Sequence, residues 1–600
     1  MANLNKWVRS VALVGAASLA LAACGGNSGT SSTSSSASSP AASSSSAAPS
    51  AGQAGGTLYY LQNYPFESTD PTRIYYGLEL ANFRRLFYRT LVSFPDSADP
   101  AVATKAVPDL ATDTGTTPDG GKTWSFTLKD GIMWQDGSPI TCQDFKYGAS
   151  RVFATDVLTG GPNYMLSYLD IPTDKKTGLP VYDGPYKGDG QKYYDKAVTC
   201  DGNTITYRFN KPWPDFPLAV AMLMTTDPYK QSFDKGPKSQ WLILSNGPYE
   251  IQGSNTWDKN TGATLVRNPN FTASTMDPSL GSALPDQIDY QINNSPDASN
   301  TITDRLIADA GKDACAITNA NIPPAYFTQV QDPPISDRTV NVVSPYTFYL
   351  VPNFDKMTNP LVRQALAEAT NKDAYIKAIG GAKSASPADS IINPGVAGYQ
   401  PNPAFADIPT AGDTQKAHDL LVQAGVKLPY PITYTYHAGT TADKAAAALK
   451  ETWDAAGFNV TLDGLTDTYY DVISKPNKKS DVMLAGWGAD WPSAMTVLPP
   501  LFDSRPNITQ NSYGQDYGGY KSPAFNKLVD QAGSASSIDQ MNQTLQQADA
   551  LLGTDVAYIP VYNLNFYFIW GSAVTGFTPT ASSSMNPDLG LIGVDPSKCS

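Results

Sequence analysis

The chain has 600 residues, of which 41% are hydrophobic and 16% charged, and its formal net charge is −13 at pH 7. This length supports a large core and, by the usual domain size, about three or four domains. An acidic chain without a run of basic residues is a poor partner for nucleic acid, so we exclude nucleic-acid binding.

The first 24 residues are typical of an export signal. Lys6 and Arg9 supply positive charge, and the apolar run over residues 11–21 ends in small residues. This run is shorter than the ~18 residues that a membrane-spanning helix needs. The sequence LAACG at 21–25 resembles a bacterial lipobox, which predicts lipidation of Cys24 and anchoring on the extracellular face of the cell membrane. The alternative is an ordinary cleaved signal with an incidental cysteine.

Residues 25–56 consist almost entirely of Ser, Ala, Gly, Thr and Pro. Such a segment has too little apolar surface to offset the entropy of ordering it, so we predict a disordered tether. Its reach, at ~5–6 Å times the square root of its length, is roughly 30 Å. That is enough to hold a folded domain away from a membrane surface.

The first predicted strand is Thr57 to Gln62, and a helix follows from Glu79 to Arg89 with its apolar residues on one face. Asn63 comes directly after this strand, and we include it among the candidate ligand-binding residues.

Residues 124–151 predict a strand, two turns and a capped helix. Trp124 and Phe126 alternate with polar residues as in a strand, and two Asp-Gly pairs mark the turns. Thr141 is placed to cap a helix, with Asp144 three residues later as an acidic form of the capping box. The segment contains no nucleophile, phosphate cradle or metal-ligand set, so it indicates a structural unit.

Four cysteines follow Cys24 and allow two disulfides in three possible connectivities. Cys142 begins the predicted helix and Cys200 precedes a strand at Thr204 to Phe209, so both flank one predicted subdomain. We therefore pair Cys142 with Cys200, and Cys315 with Cys599 by elimination. The sequence contains no C-x-x-C spacing, which disfavours a zinc cluster.

The chain from Phe348 onward alternates strands with helices, which predicts an α/β lobe. Helices are predicted at Thr414 to Ala424 and Ala442 to Ala455, and strands follow each of them. The segment between Asp156 and Cys200 is rich in Gly, Pro, Asp and Lys, and it predicts long loops.

The segment after a predicted buried strand, Asp481 to Leu484, carries the candidate ligand site. Its sequence AGWGADWP at 485–492 contains two glycines and a proline, which predict that the backbone leaves regular structure just past the strand. Ligands of α/β sheets bind at that edge. Asp490 could meet a cation there, while Trp487 and Trp491 could cover ligand side chains.

Each of these residues could instead have a purely structural role. Asp490 could be a solvated loop acid or a cap, and each tryptophan could belong to the core. Tyr513, Tyr517 and Tyr520 line the same crevice or belong to a surface loop.

Eight short motifs occur along the chain: PDLA at 108–111, WSFTLKDG at 124–131, WQDGSPIT at 134–141, GPY at 247–249, RNP at 267–269, VRQAL at 362–366, GWGADW at 486–491 and IPVY at 559–562. Together they resemble the family 5 extracellular solute-binding proteins, which supply ABC importers with oligopeptides, dipeptides, nickel complexes and related solutes. Cys142 departs from the pattern, because the family usually has a small residue there.

The resemblance implies a two-lobed α/β fold of the periplasmic-binding-protein type (class II, cluster C), with an extra subdomain and a ligand cleft between the lobes. Closure by a hinge is expected. The implied division is as follows: lobe one at 57–105, 201–342 and 556–600, an inserted subdomain at 106–200, and lobe two at 343–555.

The resemblance also implies roles for the candidate site. Asp490 takes the position at which peptide-binding members hold the ligand's α-ammonium group, and Trp487 and Trp491 form the walls. Gly488, between them, is included among the ligand-binding residues. Ser493 and Ala494 stand where many relatives have Asp-Pro. The implied partners are an oligopeptide or similar solute and the permease and ATPase subunits of an importer, and we predict a monomer.

Enzyme activity, a cofactor and a bound metal are not expected. The chain has only two histidines, His418 and His437, and neither a G-x-S-x-G nor an H-E-x-x-H motif. A glycosidase with a carboxylate pair stays open, because the spatial pairing of acids is invisible in a sequence. The same scaffold could also bind an oligosaccharide, a glycolipid or a chelated metal, or act as a surface sensor.

Overall fold

The computed structural model describes residues 52–175 and 177–599. The predicted signal peptide, Cys24 and residues 25–51 of the predicted tether lie outside these ranges. Within them, none of the helices combines the length and the apolar character needed to cross a bilayer.

The folded structure begins before the predicted end of the tether at residue 56. Gly52 donates a backbone hydrogen bond to Leu591 at 2.8 Å, and Gly55 donates one to Leu284 at 2.8 Å. The last residues of the predicted tether are therefore bonded to the fold.

The first lobe is built on a five-stranded sheet, in which the strand Thr57–Gln62 pairs in parallel with one neighbour on each side. Side chains on the two faces of this strand pack into different cores. Tyr60 packs in a cluster with Phe83, and Leu61 packs in a cluster with Ile302. In spatial order the strands are Ala316–Thr318, Thr57–Gln62, Gln287–Ile292, Thr264–Arg267 and Tyr249–Ile251, and the longer helices are Gly77–Leu86 and Ala298–Ala308.

The inserted subdomain contains a three-stranded antiparallel sheet and the helix Cys142–Arg151. The predicted capping box is confirmed, since Thr141 and Asp144 cap this helix reciprocally. The sheet consists of Thr123–Thr127, Thr204–Arg208 and Val198–Asp201, with the second of these in the centre.

One predicted boundary, between residues 200 and 201, falls inside a hairpin. We expected Thr204–Arg208 in the first lobe, but it pairs with Val198–Asp201 and Thr123–Thr127. The reason is the turn at Gly202, whose φ of 54° brings the chain straight back on itself. The subdomain shares one hydrophobic core with the first lobe.

The second lobe is built on a six-stranded mixed sheet with helices around it, so the predicted α/β architecture is confirmed. Its strands, in spatial order, are Ala385–Pro387, Ile559–Ile569, Thr339–Pro352, Val482–Gly488, Tyr430–His437 and Phe458–Leu465. Its longer helices are Pro360–Glu368, Lys372–Ala378, Thr414–Gln423, Thr440–Ala455, Pro523–Gly533 and Ile538–Thr554.

Short elements connect these parts. The strands are Val92–Ser93, Val107–Pro108, Val574–Thr575 and Gly593–Val594, and the helices are Pro100–Ala103, Tyr164–Tyr168, Gln191–Ala197, Phe216–Met222, Tyr469–Ile473, Leu498–Phe502 and Ser504–Asn507.

Two long antiparallel strands, Thr339–Pro352 and Ile559–Ile569, join the lobes. At one end Ile569 packs in a first-lobe cluster, while at the other end Leu350 and Ile559 pair within the second-lobe core. We expected residues 556–600 in the first lobe. The strand Ile559–Ile569 nevertheless begins in the second-lobe sheet, because it pairs along the crossing strand Thr339–Pro352.

Both disulfides form as predicted. Cys142 is bonded to Cys200 within the inserted subdomain, and Cys315 is bonded to Cys599, which ties the chain's last described residue to the first lobe.

Candidate ligand-binding cleft

The strand Val482–Gly488 leads into the candidate loop, and it is longer than predicted. We expected regular structure to end at Leu484, but the pairing continues until Gly488 lies opposite Tyr346. A Cβ atom at Gly486 would lie 2.6 Å from Phe348 Cε1, and one at Gly488 would lie 2.8 Å from Tyr346 Cδ1. The glycines therefore make room for facing aromatic rings instead of breaking the strand.

Asp490 lies between the lobes and is half-buried. Its carboxylate accepts hydrogen bonds from the hydroxyls of Tyr164 and Tyr75, which belong to the inserted subdomain and the first lobe. Burial raises the pKa of Asp490 to about 6, against the opposing effect of these two hydrogen bonds. Asp490 forms no ion pair with any residue of 52–175 or 177–599.

A third tyrosine completes this environment. Tyr346 comes from a crossing strand, and burial followed by the nearby Asp490 charge raises its pKa. The same two causes raise the pKa of Tyr75 and of Tyr164. Asp490 is thus surrounded by neutral phenols, and these hold their protons.

Thr496 holds the candidate loop in shape. Its hydroxyl accepts a hydrogen bond from the Asp490 backbone N–H at 3.1 Å, and its carbonyl accepts one from Trp487 Nε1 at 2.8 Å. Trp487 is half-buried, so part of its ring is left open to the surroundings of the loop.

Trp491 reaches across to the first lobe. Its side chain is only 3% exposed and belongs to the first-lobe core, although its backbone follows a second-lobe strand. Its Nε1 donates a hydrogen bond to Asp215 Oδ2 at 2.7 Å, and its ring meets Tyr164 edge-on at 4.7 Å. Together with the hydrogen bond between Asp490 and Tyr164, these two contacts of Trp491 connect the second lobe to the first lobe and the inserted subdomain.

The two other predicted site residues lie apart from this loop. Asn63 is on the first lobe, where it donates to Ser299 Oγ at 3.1 Å and accepts from Asn319 Nδ2 at 3.0 Å. Tyr513 lies in the second lobe; its hydroxyl donates to Asp355, and Lys478 Nζ sits 4.3 Å from its ring centroid. Both the hydroxyl and the ring of Tyr513 are therefore engaged away from Asp490.

Sequence reasoning missed the partners that reach Asp490 from the opposite lobe. Tyr75 and Tyr164 come from segments without helical or strand periodicity, and Asp215 follows a proline-rich turn. Nothing in their local sequence separates them from surface residues. Only the tertiary arrangement brings them to the loop.

A cavity of about 240 Å³ lies between the lobes beside the loop. Met222 and Met585 line it from the first lobe, Val396 from the second, and Val343 from a crossing strand. Ala489 and Trp491, the neighbours of Asp490, also line it. Within the described ranges, no group of His, Cys, Asp or Glu side chains is arranged to hold a metal ion.

The comparison with curated proteins gives relatives of similar length. The periplasmic oligopeptide-binding protein OppA of Salmonella typhimurium is 26% identical over 485 residues, which cover 76% of this chain and 80% of that protein. The oligopeptide-binding protein OppA of Bacillus subtilis is 23% identical over 471 residues, covering 74% and 77%.

Solved structures agree with this likeness. The clavulanic acid biosynthesis oligopeptide binding protein 2 matches with a TM-score of 0.79 at 25% identity, covering 90% of this chain and 96% of that one. The family model of the bacterial extracellular solute-binding proteins, family 5 (middle), matches residues 105–508, more than half of the chain. The chain therefore belongs to the family 5 bacterial extracellular solute-binding proteins.

Proposed function

We propose that this protein is the substrate-binding component of an ABC importer and captures peptides between its lobes. One observation carries the proposal: the Asp490 carboxylate lies in the interlobe cleft with hydroxyl donors and no ion pair among the described residues. A peptide's α-ammonium group would supply the missing positive charge. A hydrogen bond to a charged group contributes about 1.5–3 kcal/mol.

The surrounding residues would shape the cleft. The indole N–H groups of Trp487 and Trp491 are already bonded to Thr496 and Asp215, so their rings would contact a ligand by packing alone. Gly488 has no side chain, which leaves room for the ring of Tyr346 beside the backbone. The side chains of Asn63 and Tyr513 are both engaged with other residues, so we leave both out of the proposed site.

The relatives support a peptide as the ligand, because the three named above are all oligopeptide-binding proteins by name. Delivery would follow from closure: a ligand that touches both lobes stabilises the closed form, and a permease with its ATPase would recognise that form. In this proposal the protein is a monomer that catalyses nothing.

The N-terminal segment would place the protein at its importer. Lipidation at Cys24 and a tether over the following residues would hold it on the extracellular face of the cell membrane. Replacing Cys24 by Ser should release the protein from the membrane fraction into the medium. Retention of this variant on the membrane would contradict the anchor.

The peptide assignment is tested with the purified protein. Native mass spectrometry should show co-purified peptides, and peptides of two to eight residues should raise the Tm as expected for a ligand of the folded state. Asp490→Asn should weaken peptide binding at least tenfold in calorimetry, which is about 1.4 kcal/mol. Asp539→Asn, at an exposed helix position, is the matched control and should bind as the wild type does.

Three outcomes would overturn the proposal. One is an oligosaccharide that raises the Tm when no peptide does. Another is a bound peptide that is recovered cleaved, which would indicate an enzyme. The third is an Asp490→Asn variant with wild-type affinity for peptides.

A further inference from the structure

The first lobe contains a buried carboxyl group that the proposed function does not use. Glu79 lies on the helix Gly77–Leu86 and is only 1% exposed. Its Oε1 accepts a hydrogen bond from the Glu67 backbone N–H at 2.6 Å, whereas its Oε2 is buried and has no hydrogen-bond partner among the described residues. No Lys, Arg or His in that part of the chain forms an ion pair with it. Because buried carboxylates are normally paired or bound to a metal ion, this environment is incomplete.

Two buried amide oxygens near Glu79 share this feature. Gln62 is the last residue of the strand Thr57–Gln62, Asn82 lies one helical turn after Glu79, and both side chains are buried. Within residues 52–175 and 177–599, neither Gln62 Oε1 nor Asn82 Oδ1 receives a hydrogen bond. Buried acceptors without a donor are unfavourable, so each of them calls for a partner.

The packing of the strand on the helix brings these oxygens together. Tyr60 and Gln62 point to the same face of the strand, and Glu79 and Asn82 point to the same face of the helix. Asn82 Nδ2 donates to the Tyr60 hydroxyl at 3.2 Å, which places the two faces against each other. Gln62 Nε2 donates to the Tyr64 carbonyl at 2.6 Å, in the short loop that also bonds the Glu79 carboxylate.

This combination of oxygens suits a monovalent metal cation. Carbonyl oxygens can replace the hydration shell of Na⁺ or K⁺, and one positive charge neutralises one carboxylate. A divalent ion would leave an uncompensated charge in the core, which is strongly unfavourable. Burial raises the pKa of Glu79 well above its usual range, against the opposing effect of the Glu67 N–H. A bound cation would reverse this effect by favouring the charged carboxylate.

We propose that Gln62, Glu79 and Asn82 form a buried site for Na⁺ or K⁺, which ties the first strand and the first helix of this lobe to the loop between them. The site is separate from Asp490 and does not depend on the peptide assignment. Its competing occupants are a proton on Glu79 and a water molecule, since each can donate a hydrogen bond to these acceptors without any metal ion.

The test compares the Tm of the wild-type protein in equal concentrations of NaCl, KCl and choline chloride. An ion that binds only the folded state should raise the Tm by about 2 °C or more over choline, which is too large for a buried site. Equal Tm values in the three salts would overturn the proposal, because neither a proton nor a water molecule needs an alkali ion.

Glu79→Gln keeps the shape of the side chain and removes its charge. The Tm of this variant should be the same in the three salts. Glu67→Gln, at the exposed carboxylate in the neighbouring loop, is the matched control and should keep the wild-type difference between the salts. A difference that persists in Glu79→Gln would come from general salt effects and would overturn the site.

A direct measurement uses the wild-type protein alone. If the site takes K⁺, crystals grown in rubidium acetate should show an anomalous peak between Gln62 and Glu79. If it takes Na⁺, crystals grown in NaCl should show a peak there whose oxygen neighbours lie closer than a hydrogen-bonded water allows, at less than ~2.7 Å. A peak with the distances of a water molecule in every salt, or the absence of a peak, would overturn the proposal.

Discussion

At the scale of single residues, Asp490 has an environment that disfavours its own charge. The carboxylate is surrounded by phenols that hold their protons, and its pKa is raised from 3.8 to about 6 by burial. A ligand ammonium group would reverse this effect by favouring the charged form. Peptide binding and deprotonation of Asp490 should therefore be coupled.

This coupling predicts how affinity depends on pH. Above about pH 7 Asp490 is ionised, and affinity should be constant until the peptide's α-amino group loses its proton near pH ~8. Below pH 6, binding must first remove a proton from Asp490, so affinity should fall by up to about tenfold per pH unit. Calorimetry between pH 4.5 and pH 8 would measure the slope.

Asp490→Asn is the control for that slope, since it keeps the side-chain shape and removes the titrating group. Its weaker binding should be nearly independent of pH between 5 and 7. An equal affinity of the wild-type protein at pH 5 and pH 7.5 would contradict the role of Asp490 as an anchor for a cation.

Asp490 could be selected from the sequence, and its partners could not. Asp490 stands in a run of glycine and tryptophan that follows a predicted buried strand. Such a position, at the edge of an α/β sheet, is where ligands bind. Tyr75 and Tyr164 lie hundreds of residues away in irregular segments. Their meeting depends on lobe closure, which local patterns do not encode.

At the scale of elements, hydrophobic periodicity predicts the middle of strands and helices well and their ends poorly. The strand Thr57–Gln62 and the helix Thr414–Gln423 appear almost as expected. The strand Val482–Gly488 ran past its predicted end, because the rings of Phe348 and Tyr346 on the neighbouring strand fill the space over its glycines. In the sequence these glycines predict the end of the strand, whereas in the structure they act as spacers that leave room for the facing rings.

That spacer role predicts the effect of one methyl group. Gly486→Ala would place Cβ 2.6 Å from Phe348 Cε1, and Phe348 is itself stacked on Tyr562, with ring centroids 4.6 Å apart. The ring cannot retreat freely, so the substitution should lower the free energy of unfolding by about 1–3 kcal/mol. Urea denaturation would measure the change.

The matched control is Gly533→Ala, because an added Cβ at Gly533, in the helix Pro523–Gly533, would meet only the flexible end of Met495, at 4.0 Å. It should be neutral or slightly stabilising, since alanine favours the helix and reduces the entropy of the unfolded chain. If Gly486→Ala were as stable as this control, the strand would have room to spare and the spacer explanation would be wrong.

At the scale of the whole molecule, two kinds of connection hold the lobes. Covalent continuity runs through the strands Thr339–Pro352 and Ile559–Ile569, whose pairing has a register shift between Val343 and Thr347. Such an irregularity disrupts the ladder locally and lets paired strands bend. The second connection is noncovalent and is formed by Trp491 and Asp490.

Trp491 is the stronger candidate for setting the balance between open and closed lobes. Its ring is buried in the first-lobe core, so opening would expose most of a large aromatic surface. Opening would also break the hydrogen bond to Asp215, a buried carboxylate whose pKa is raised by its burial. Asp490, in contrast, would lose only its bonds to tyrosine hydroxyls.

We therefore expect Trp491→Phe to shift the ligand-free protein toward the open form. The variant keeps a ring but loses the N–H donor to Asp215, which should cost the closed form about 1–3 kcal/mol. Small-angle scattering should then show a larger radius of gyration without ligand. Peptide affinity should fall in proportion to the lost closed population, while saturating peptide restores the compact form.

Trp257→Phe provides the matched control for this last variant. Trp257 is 1% exposed within the first-lobe core, and its Nε1 has no hydrogen-bond partner among the described residues. The same substitution there removes the same atoms without touching the second lobe, so scattering and affinity should stay those of the wild type. If Trp491→Phe scattered like this control and bound peptide equally well, the lobes would be held by the crossing strands alone, and Trp491 would be an ordinary core residue.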